Sequence, residues 1–326
     1  MIAQNAPGTI AVMTVNWNRP ALTLSCLDAL RRTQGASWHL IIVDNASSDD
    51  SVKRLSNLGD DVTLIQAEVN GGWSGGSNRA VRAAMAANFD HLFFLNNDAI
   101  VEPTTLSMLL ATARAIGEPI PVIGAVQHDE AGGEGAWYGS YERTDAPYPV
   151  DLGVADYAGL PDVYGTGFIK GAALFAHRRH FETIGFFDDR FFLNFEETDW
   201  CARAKNAGFP LIMTKTARVF HSGSGTMGGL SSPISTYFLV RNALLYSEKR
   251  GGLRNRARGL KQRASWIKHQ YRTASWTRAV ACLARDRSPW AVAFRRGFVD
   301  YLLRRFGDCP DVIRQITYRA TSLGRS

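Results

Sequence analysis

The sequence predicts an α/β fold with a doubly wound, mostly parallel sheet, followed by a basic helical region. Three observations support this prediction. Apolar segments alternate with helix-like segments four times within the first hundred residues, which is the pattern of parallel strands joined by helices. Each apolar segment ends in a polar cluster or a glycine-rich loop. Residues 250–326 contain 18 of the 37 Lys and Arg residues but only 4 of the 30 Asp and Glu residues.

The individual elements follow from the spacing of the apolar residues. Short apolar runs bounded by polar loops predict buried strands. Apolar residues at a period of three or four predict the helices between them. The predicted strands are Thr9–Val15, His39–Val43, Val62–Gln66 and His91–Leu95, and the predicted helices are Ala21–Arg32, Ser48–Leu58 and Ser77–Asn88.

The middle of the chain is less regular. Residues Asp129–Pro161 are rich in Gly, Tyr, Asp and Pro, which predicts a long excursion. Beyond it, the pattern predicts a strand at Phe168–His177, a helix at Leu193–Lys205 and a strand at Leu211–Phe220. After Pro233 the pattern becomes helical, with aromatic residues interleaved among the basic ones.

Composition excludes several classes of protein. A hydrophobic content of 45% is typical of globular proteins and excludes wholesale disorder. The four cysteines lie far apart, so neither a disulfide framework nor a structural zinc site is expected. No apolar run approaches the roughly 20 residues that span a bilayer, and the N-terminus lacks the pattern of a signal peptide. We therefore expect reduced thiols and a cytoplasmic protein.

Two aspartates follow apolar strands of the predicted sheet, Asp44 and Asp98. Side chains at the carboxyl ends of neighbouring parallel strands face one crevice, and ligands bind there in such sheets. A carboxylate in that crevice can accept a hydrogen bond from a ribose or base, or bind a hard cation. The alternative is that each aspartate caps the following helix. Asn96, beside Asp98, favours the shared crevice.

A glycine-rich segment, Asn70–Asn78, opens a predicted helix. Glycine lets backbone N–H groups approach an anion closely, but a tight turn with close packing explains the same residues. The segment is neither a Walker A loop nor a G-x-G-x-x-G fingerprint. Gly223, Gly225 and Gly228 do have that second spacing. No strand follows them to complete a βαβ unit, so we interpret them as a mobile active-site loop.

Three acids, Glu196, Glu197 and Asp199, occupy four positions of a predicted helix. In a helix, Glu196 and Asp199 share a face while Glu197 points elsewhere. The cluster fits a cation or a hydroxyl substrate, for which a carboxylate can act as general base; the alternative is a solvated first helical turn. His221 gains a functional role only if it meets Asp98, because imidazole and carboxylate together suit Mn²⁺ or Mg²⁺.

In their order along the chain, these motifs resemble family 2 glycosyltransferases of the GT-A fold, in particular the bacterial rhamnosyltransferase-like branch. The resemblance covers residues 8–250. We expect a GT-A domain at 1–235, with a nucleotide-binding half (1–100) and an acceptor half (101–235), and a basic helical region at 236–326. The motifs that carry the resemblance are Val12–Pro20, Val43–Asp49, Asn70–Asn78, Phe94–Asp98, Gly171-Ala172, Phe195–Asp199, His221–Gly223, Tyr237 and Arg241-Asn242.

The resemblance implies an inverting transfer of rhamnose or a similar hexose from a dTDP- or UDP-linked donor. The acceptor would be a hydroxyl of a glycan or lipid-linked molecule in bacterial cell-surface polysaccharide synthesis. Mn²⁺ or Mg²⁺ would be bound by Asp98 and His221. Glu197 would be the base, with Glu196 the second candidate and Asp199 beside them. The nucleotide sugar would contact Asn16, Asn18, Arg19, Asp44 (at the base), Asn70, Gly72, Asn78, Asn96 (near the ribose) and Arg241 (at the pyrophosphate).

Two positions depart from the family pattern. Asn96-Asn97-Asp98 supplies one carboxylate where the family has Asp-x-Asp, and Glu197 stands where the family usually has an aspartate. Inversion is also the simpler expectation, because one base suffices and no covalent nucleophile is required.

The basic region after Arg250 has three interpretations. It is a solvated helical surface, or it docks to anionic lipid headgroups on the inner face of the plasma membrane, or it binds nucleic acid. The aromatic residues have the spacing of a helical core and no recognition motif is present, so we expect no nucleic-acid partner. The alternative to an enzyme is a non-catalytic membrane-surface or nucleic-acid binding protein with a degenerate nucleotide-binding fold. The sequence does not indicate an oligomeric state.

Overall fold

A computed structural model of the protein describes residues 8–128, 137–141, 149–221 and 232–323. These residues form two compact units. The α/β unit comprises the described residues up to Asp189 together with 196–221, and the helical unit comprises 190–195 and 232–323. The loop expected at Gly223–Gly228 and most of the first half of the expected excursion lie outside the described residues.

The centre of the α/β unit is a nine-stranded sheet, accompanied by a two-stranded ribbon. The strands, in chain order, are β1 (Ile10–Asn16), β2 (Trp38–Asp44), β3 (Val62–Gln66), β4 (His91–Leu95), β5 (Ala99–Val101), β6 (Val122–His128), β7 (Ser140–Tyr141), β8 (Val150–Asp151), β9 (Val163–Gly165), β10 (Ala173–His177) and β11 (Leu211–His221). The sheet has the order β3-β2-β1-β4-β10-β6-β11-β5, with β9 on β11, and the ribbon pairs β7 with β8.

The sheet is mostly parallel, as predicted. Strands β1 to β4 run parallel to one another, and β6 runs parallel to β11. Strand β10 is antiparallel to both of its neighbours, β4 and β6. Alternate residues of β1 enter two apolar cores, with Ala11 and Met13 on one face and Ile10 and Val12 on the other. Both faces are therefore covered, which explains why the strands are apolar throughout.

Helices pack on the two faces of the sheet and connect its strands. They are α1 (Pro20–Leu30), α2 (Ser51–Leu55), α3 (Gly72–Ala86), α4 (Thr105–Ile116), α5 (Val154–Ala158), α6 (Arg178–Ile184) and α7 (Glu196–Asn206). Helix α3 begins at Gly72, five residues before the predicted start. A side chain at Gly76 would lie 2.7 Å from Val15 Cγ1, so its glycines allow the first turns of α3 to lie against β1. Regular elements α4 and β6 occupy the region that the sequence predicted to be less regular.

The helical unit contains the basic part of the chain. Its helices are α8 (Pro233–Gln270), α9 (Trp276–Arg285), α10 (Pro289–Leu302) and α11 (Asp311–Leu323). Helix α8 is broken at Gly251 and Gly252, where the backbone leaves the helical conformation. The two halves then pack closely, since a Cβ atom at Gly259 would lie only 2.8 Å from Ser247 Oγ. No helix in the described part of the chain is both long and apolar enough to cross a membrane.

Candidate active site

The ends of β1 and β2 are joined by a buried polar network. Asn16 and Asp44 are register partners, and Asn16 Nδ2 donates to Asp44 Oδ2 at 2.9 Å. Ser47 donates to the same carboxylate through both its backbone N–H (3.0 Å) and its hydroxyl (2.6 Å). Thr23 donates to Asn16 Oδ1 at 2.8 Å. Asp44, only 1% exposed, thus has three donors that offset the cost of burying its charge, and it holds the loop after β2 in place.

The loops after β1, β2 and β3 are tied to one another by asparagine side chains. Asn18 Oδ1 accepts from the backbone N–H of Ser48 at 2.7 Å. Asn45 donates to Asn70 Oδ1 and to the carbonyl of Gly72, both at 2.9 Å, and accepts from the N–H of Gly71. Asn45 was not among the predicted site residues, although it directly follows β2. The network holds this edge of the sheet in one arrangement.

Two further predicted residues, Arg19 and Asn78, lie outside this asparagine network. Arg19 precedes α1 and is exposed at the same edge. Asn78 lies inside α3 and is buried, and its amide exchanges hydrogen bonds with the backbone of Phe187 and donates to Asp189 Oδ1 at 2.8 Å. Asn78 therefore ties α3 to the segment that precedes α7.

The predicted meeting of Asp98 and His221 occurs. His221 pairs with Ala99 in the β5–β11 ladder, which places its Nε2 atom 3.0 Å from Asp98 Oδ1. Asn96 Nδ2 lies 3.2 Å from the same Nε2 atom. The side chains are 7% (Asp98) and 18% (His221) exposed, so the pair is open to a ligand on one side. Asp98 and His221 are only two such residues, and the described ranges contain no group of three or more His, Cys, Asp and Glu residues that suits a metal ion.

The orientation of the Asn96 amide is decided by Trp73. The indole Nε1–H of Trp73 donates to Asn96 Oδ1 at 3.1 Å, and an indole is only a donor. The amide nitrogen of Asn96 therefore faces His221 Nε2, which accepts from it in the neutral imidazole. In that arrangement Nε2 and Asp98 Oδ1 are two acceptors 3.0 Å apart. Two acceptors at this distance require a proton or a cation between them.

The three acids of α7 have separate surroundings. Asp199 is buried and forms an ion pair with Arg203 at 3.0 Å, and Arg203 also donates to two backbone carbonyls. Glu196 is 3% exposed and Glu197 is half-buried. The Oε2 atoms of both glutamates are buried and lack a hydrogen-bond partner among the described residues. Asp199 thus supports the helix, while the two glutamates have unused acceptor atoms.

Burial changes the acidity of the two glutamates. Burial, followed by the nearby charge of Glu197, raises the pKa of Glu196 well above its usual value. Burial also raises the pKa of Glu197, partly offset by backbone N–H groups at the start of α7, by the N–H of Gly171 and by the charge of Lys170. The pair therefore retains a proton to a higher pH than an exposed glutamate does.

Arg241 lies in the helical unit and is fully buried on α8. Its guanidinium donates to the carbonyl of Phe191 at 3.0 Å, to Asn242 Oδ1 at 2.9 Å and to the Tyr237 hydroxyl at 3.2 Å. Asn242 donates to the carbonyls of Phe191 and Leu193. These two residues anchor segment 190–195 to α8.

Comparisons with known proteins find similarity to glycosyltransferases. Residues 11–169 match the sequence model of Glycosyl transferase family 2. The low-salt glycan biosynthesis hexosyltransferase Agl10 of Haloferax volcanii is 24% identical over 215 residues, which cover 64% of this chain and 66% of that protein.

Two solved structures share the fold. The mannosyltransferase PcManGT from Pyrobaculum calidifontis, in complex with GDP-Man and Mn²⁺, superposes with a TM-score of 0.55 at 15% identity, over 91% of this chain and 87% of that chain. GalNAc-T7 with UDP, GalNAc and Mn²⁺ gives a TM-score of 0.52 at 14% identity, over 65% of this chain and 43% of that chain. The matched region thus spans just under two thirds of Agl10 and less than half of the GalNAc-T7 chain. The match to Glycosyl transferase family 2 thus covers just under half of the chain, within the α/β unit, and that unit has the GT-A fold.

Proposed function

We propose that the protein transfers a hexose from a nucleoside-diphosphate sugar to an acceptor hydroxyl, with inversion at the anomeric carbon. The observation that carries this proposal is the contact of Asp98 with His221 beside the fixed amide of Asn96. The contact lies beyond the carboxyl end of β4, the region where open α/β sheets bind their ligands.

The pair Asp98 and His221 fits a divalent cation, Mn²⁺ or Mg²⁺, because a carboxylate oxygen and an imidazole nitrogen face the same point. When bound, the cation stabilises the negative charge of the leaving diphosphate. Asp98 and His221 would be the residues of this chain that hold the cation. The solved structures of PcManGT and GalNAc-T7 both contain Mn²⁺, which supports the assignment.

The nucleotide binds, in this proposal, along the edge formed by the loops after β1, β2 and β3. Asp44 and Asn16 hold these loops, and Asp44 lies beneath the base. Exposed Arg19 and the loop at Asn70 and Gly72 border the same edge, with Asn18 and Asn78 tying the neighbouring segments. The pyrophosphate contact predicted for Arg241 is not part of the proposal, because its guanidinium donors serve segment 190–195.

Glu197 is the base of the proposed reaction and takes the proton of the acceptor hydroxyl. It is the more exposed of the two glutamates, so a hydroxyl reaches it without entering the core. The N–H of Gly171 is close enough to lower its pKa, which holds the carboxylate at the start of α7. The pKa of its neighbour Glu196 is also raised, by burial and by the charge of Glu197, so the pair retains a proton more readily than an exposed glutamate does. One base is sufficient for inversion.

The donor class rests on the resemblance and on the relatives. We propose rhamnose or a similar hexose linked to dTDP or UDP, and a glycan or lipid-linked acceptor of the bacterial cell surface. The relative Agl10 is named as a hexosyltransferase of glycan biosynthesis. Sugar nucleotides are made in the cytoplasm, where we place the reaction.

A thermal-shift screen with dTDP-, UDP- and GDP-sugars, with and without Mn²⁺, tests this proposal. A donor at a hundred times its dissociation constant stabilises the folded state by about 2.7 kcal/mol, and this gain should require Mn²⁺. Asp98→Asn should lose it, while Asp90→Asn, at the exposed opposite end of β4, should keep it. If no sugar nucleotide stabilises the wild type, the non-catalytic alternative gains support. Equal stabilisation of Asp98→Asn would remove the metal role.

A further inference from the structure

Three helices of the helical unit enclose an apolar groove of about 400 Å³. Its floor is formed by buried side chains from α8, α9 and α10, including Ile267, Leu283 and Phe294. Its rim is exposed, with Trp276 at 44%, Val280 at 52% and Val299 at 41%. We call this surface the apolar groove. Trp276 and Val280 are one turn apart on α9, so they lie on one face of the helix.

Apolar exposure continues beyond the rim. Leu302 and Leu303, at the end of α10, are 48% and 55% exposed, and Leu302 follows Val299 by three positions on the same helical face. Of the twelve large hydrophobic residues exposed in the described part of the chain, eight belong to the helical unit. An extended exposed apolar face of this kind marks a surface that is covered by a partner.

Basic residues surround the same helices. Arg278 and Arg285 are exposed on the face of α9 opposite to Trp276 and Val280, and Arg287 is exposed in the loop that follows it. A helix that lies in a membrane interface has this arrangement, with its apolar face towards the acyl chains and its basic face towards the headgroups. The acids of this region are already engaged: Asp286 accepts from Tyr271, and Asp300 accepts from Tyr237 and Arg296. The exposed charge of this region is therefore positive, and the partner must offer negative charge together with an apolar interior.

These properties select one partner class. A nucleic acid would neutralise the arginines but would leave the valine and leucine side chains without an apolar partner. A second copy of this chain would bring two strongly basic surfaces together, which like-charge repulsion opposes. A bilayer with anionic headgroups satisfies both requirements at one depth, since aromatic and aliphatic side chains enter the interface while arginines bind phosphate.

We propose that the apolar groove and its basic surroundings form a docking surface for anionic phospholipid bilayers. Trp276, Val280 and Val299 enter the boundary between headgroups and acyl chains, and Arg278 and Arg285 bind headgroup phosphates. The surface belongs to the helical unit alone and is independent of the proposed sugar transfer.

Flotation of the full-length protein with vesicles tests the proposal. Binding should require phosphatidylglycerol, be absent with phosphatidylcholine alone, and fall at high salt. Arg278→Gln/Arg285→Gln should lose about fivefold in affinity for each charge removed, and Trp276→Ser/Val280→Ser should lose at least about tenfold. Matched controls in the α/β unit, Val69→Ser/Ile116→Ser and Arg32→Gln/Arg54→Gln, also replace exposed side chains and should bind as the wild type does.

Each opposite outcome assigns the surface differently. Equal binding of the groove variants and the wild type would overturn the proposal, as would equal binding to neutral vesicles. A dimer in light scattering that Trp276→Ser/Val280→Ser dissociates would assign the groove to a second copy. Because the replaced side chains are exposed, melting temperatures should stay at the wild-type value, so a loss of binding cannot be attributed to unfolding.

Discussion

The two units of the molecule use buried polar side chains differently. In the α/β unit, Asn16, Asp44 and Asn45 tie together loops at one edge of the sheet, and beside them Asp98 and His221 face each other with acceptor atoms. In the helical unit, the donors of Arg241 are taken up by carbonyls and side chains of that same unit. Polar groups at the strand ends thus meet at one edge of the sheet, whereas those on packed helices complete a core.

The surfaces of the two regions differ as well. Residues 1–249 contain 19 basic and 26 acidic residues, and residues 250–326 contain 18 basic and 4 acidic ones. The acids of the first region include the proposed metal ligand and base. Basic residues of the second are exposed on the helices that form the apolar groove. Chemistry and docking are therefore assigned to different units, and this separation can be tested by variants that affect one function only.

The largest expected effect is that of Asp98→Ala. It should lower the rate of sugar transfer by about 10²- to 10³-fold, because charge on the leaving diphosphate loses its stabilisation. The measurement is kcat at saturating donor, Mn²⁺ and a soluble acceptor. Arg278→Gln/Arg285→Gln should transfer sugar at the wild-type rate in the same assay. If both variants lose transfer equally, the separation of the two units fails.

Replacement of the base should come next. Glu197→Gln should lower kcat by about 10²- to 10⁴-fold while the donor still binds, as calorimetry would measure. Glu182→Gln, an exposed glutamate paired with Arg178, is the matched control. A larger loss of kcat in Glu196→Gln than in Glu197→Gln would assign the base to Glu196.

Replacement of Arg241 in the helical unit should lower the stability of the protein. Arg241→Met removes the buried guanidinium bonds to the Phe191 carbonyl, Asn242 Oδ1 and the Tyr237 hydroxyl, and it should lower the free energy of unfolding by about 2 to 3 kcal/mol. Urea unfolding measures the change. Arg254→Met, on the exposed part of α8, should stay within about 0.5 kcal/mol of the wild type. Equal stability of the two variants would show that the Arg241 contacts contribute little.

Gly171 links the proposed base to the proposed metal site, because its N–H acts on Glu197 and its Cα packs against Trp73. A Cβ atom at Gly171 would overlap the ring of Trp73, whose indole orients Asn96. Gly171→Ala should cost about 1 to 3 kcal/mol of stability and also lower transfer. Gly159→Ala, where an added Cβ meets no atom, is the control. A Gly171→Ala protein with wild-type transfer would exclude this link.

The pH dependence should show the smallest effect. A base accepts a proton only when deprotonated, so a raised pKa moves the acid limb of kcat/KM to higher pH. The limb should therefore lie above the ordinary glutamate value of about 4.3. Because the Lys170 charge lowers the pKa of Glu197, Lys170→Met should move the limb further up. A limb at the ordinary value, unchanged in Lys170→Met, would contradict the assignment.

Much of the fold was predictable because apolar runs bounded by polar loops have one stable solution, a sheet covered on both faces. The fold class and strands β1 to β4 were predicted from this pattern. Helix α4 and strand β6 were missed, although Gly117, Pro119 and Pro121 separate them in the sequence. The early start of α3 was missed because glycine disfavours helices in isolation, and only the contact of Gly76 with Val15 explains it.

The sequence by itself determined the chemical inventory: the acids and amides at the strand ends, the glutamate pair and the basic helical region. Tertiary structure decided which of these residues meet. Asp98 and His221 are 123 positions apart, and only the β5–β11 pairing brings them within 3.0 Å. The same holds for Trp73, whose indole selects the orientation of the Asn96 amide. Contacts between distant strands depend on sheet order, and no local spacing encodes that order.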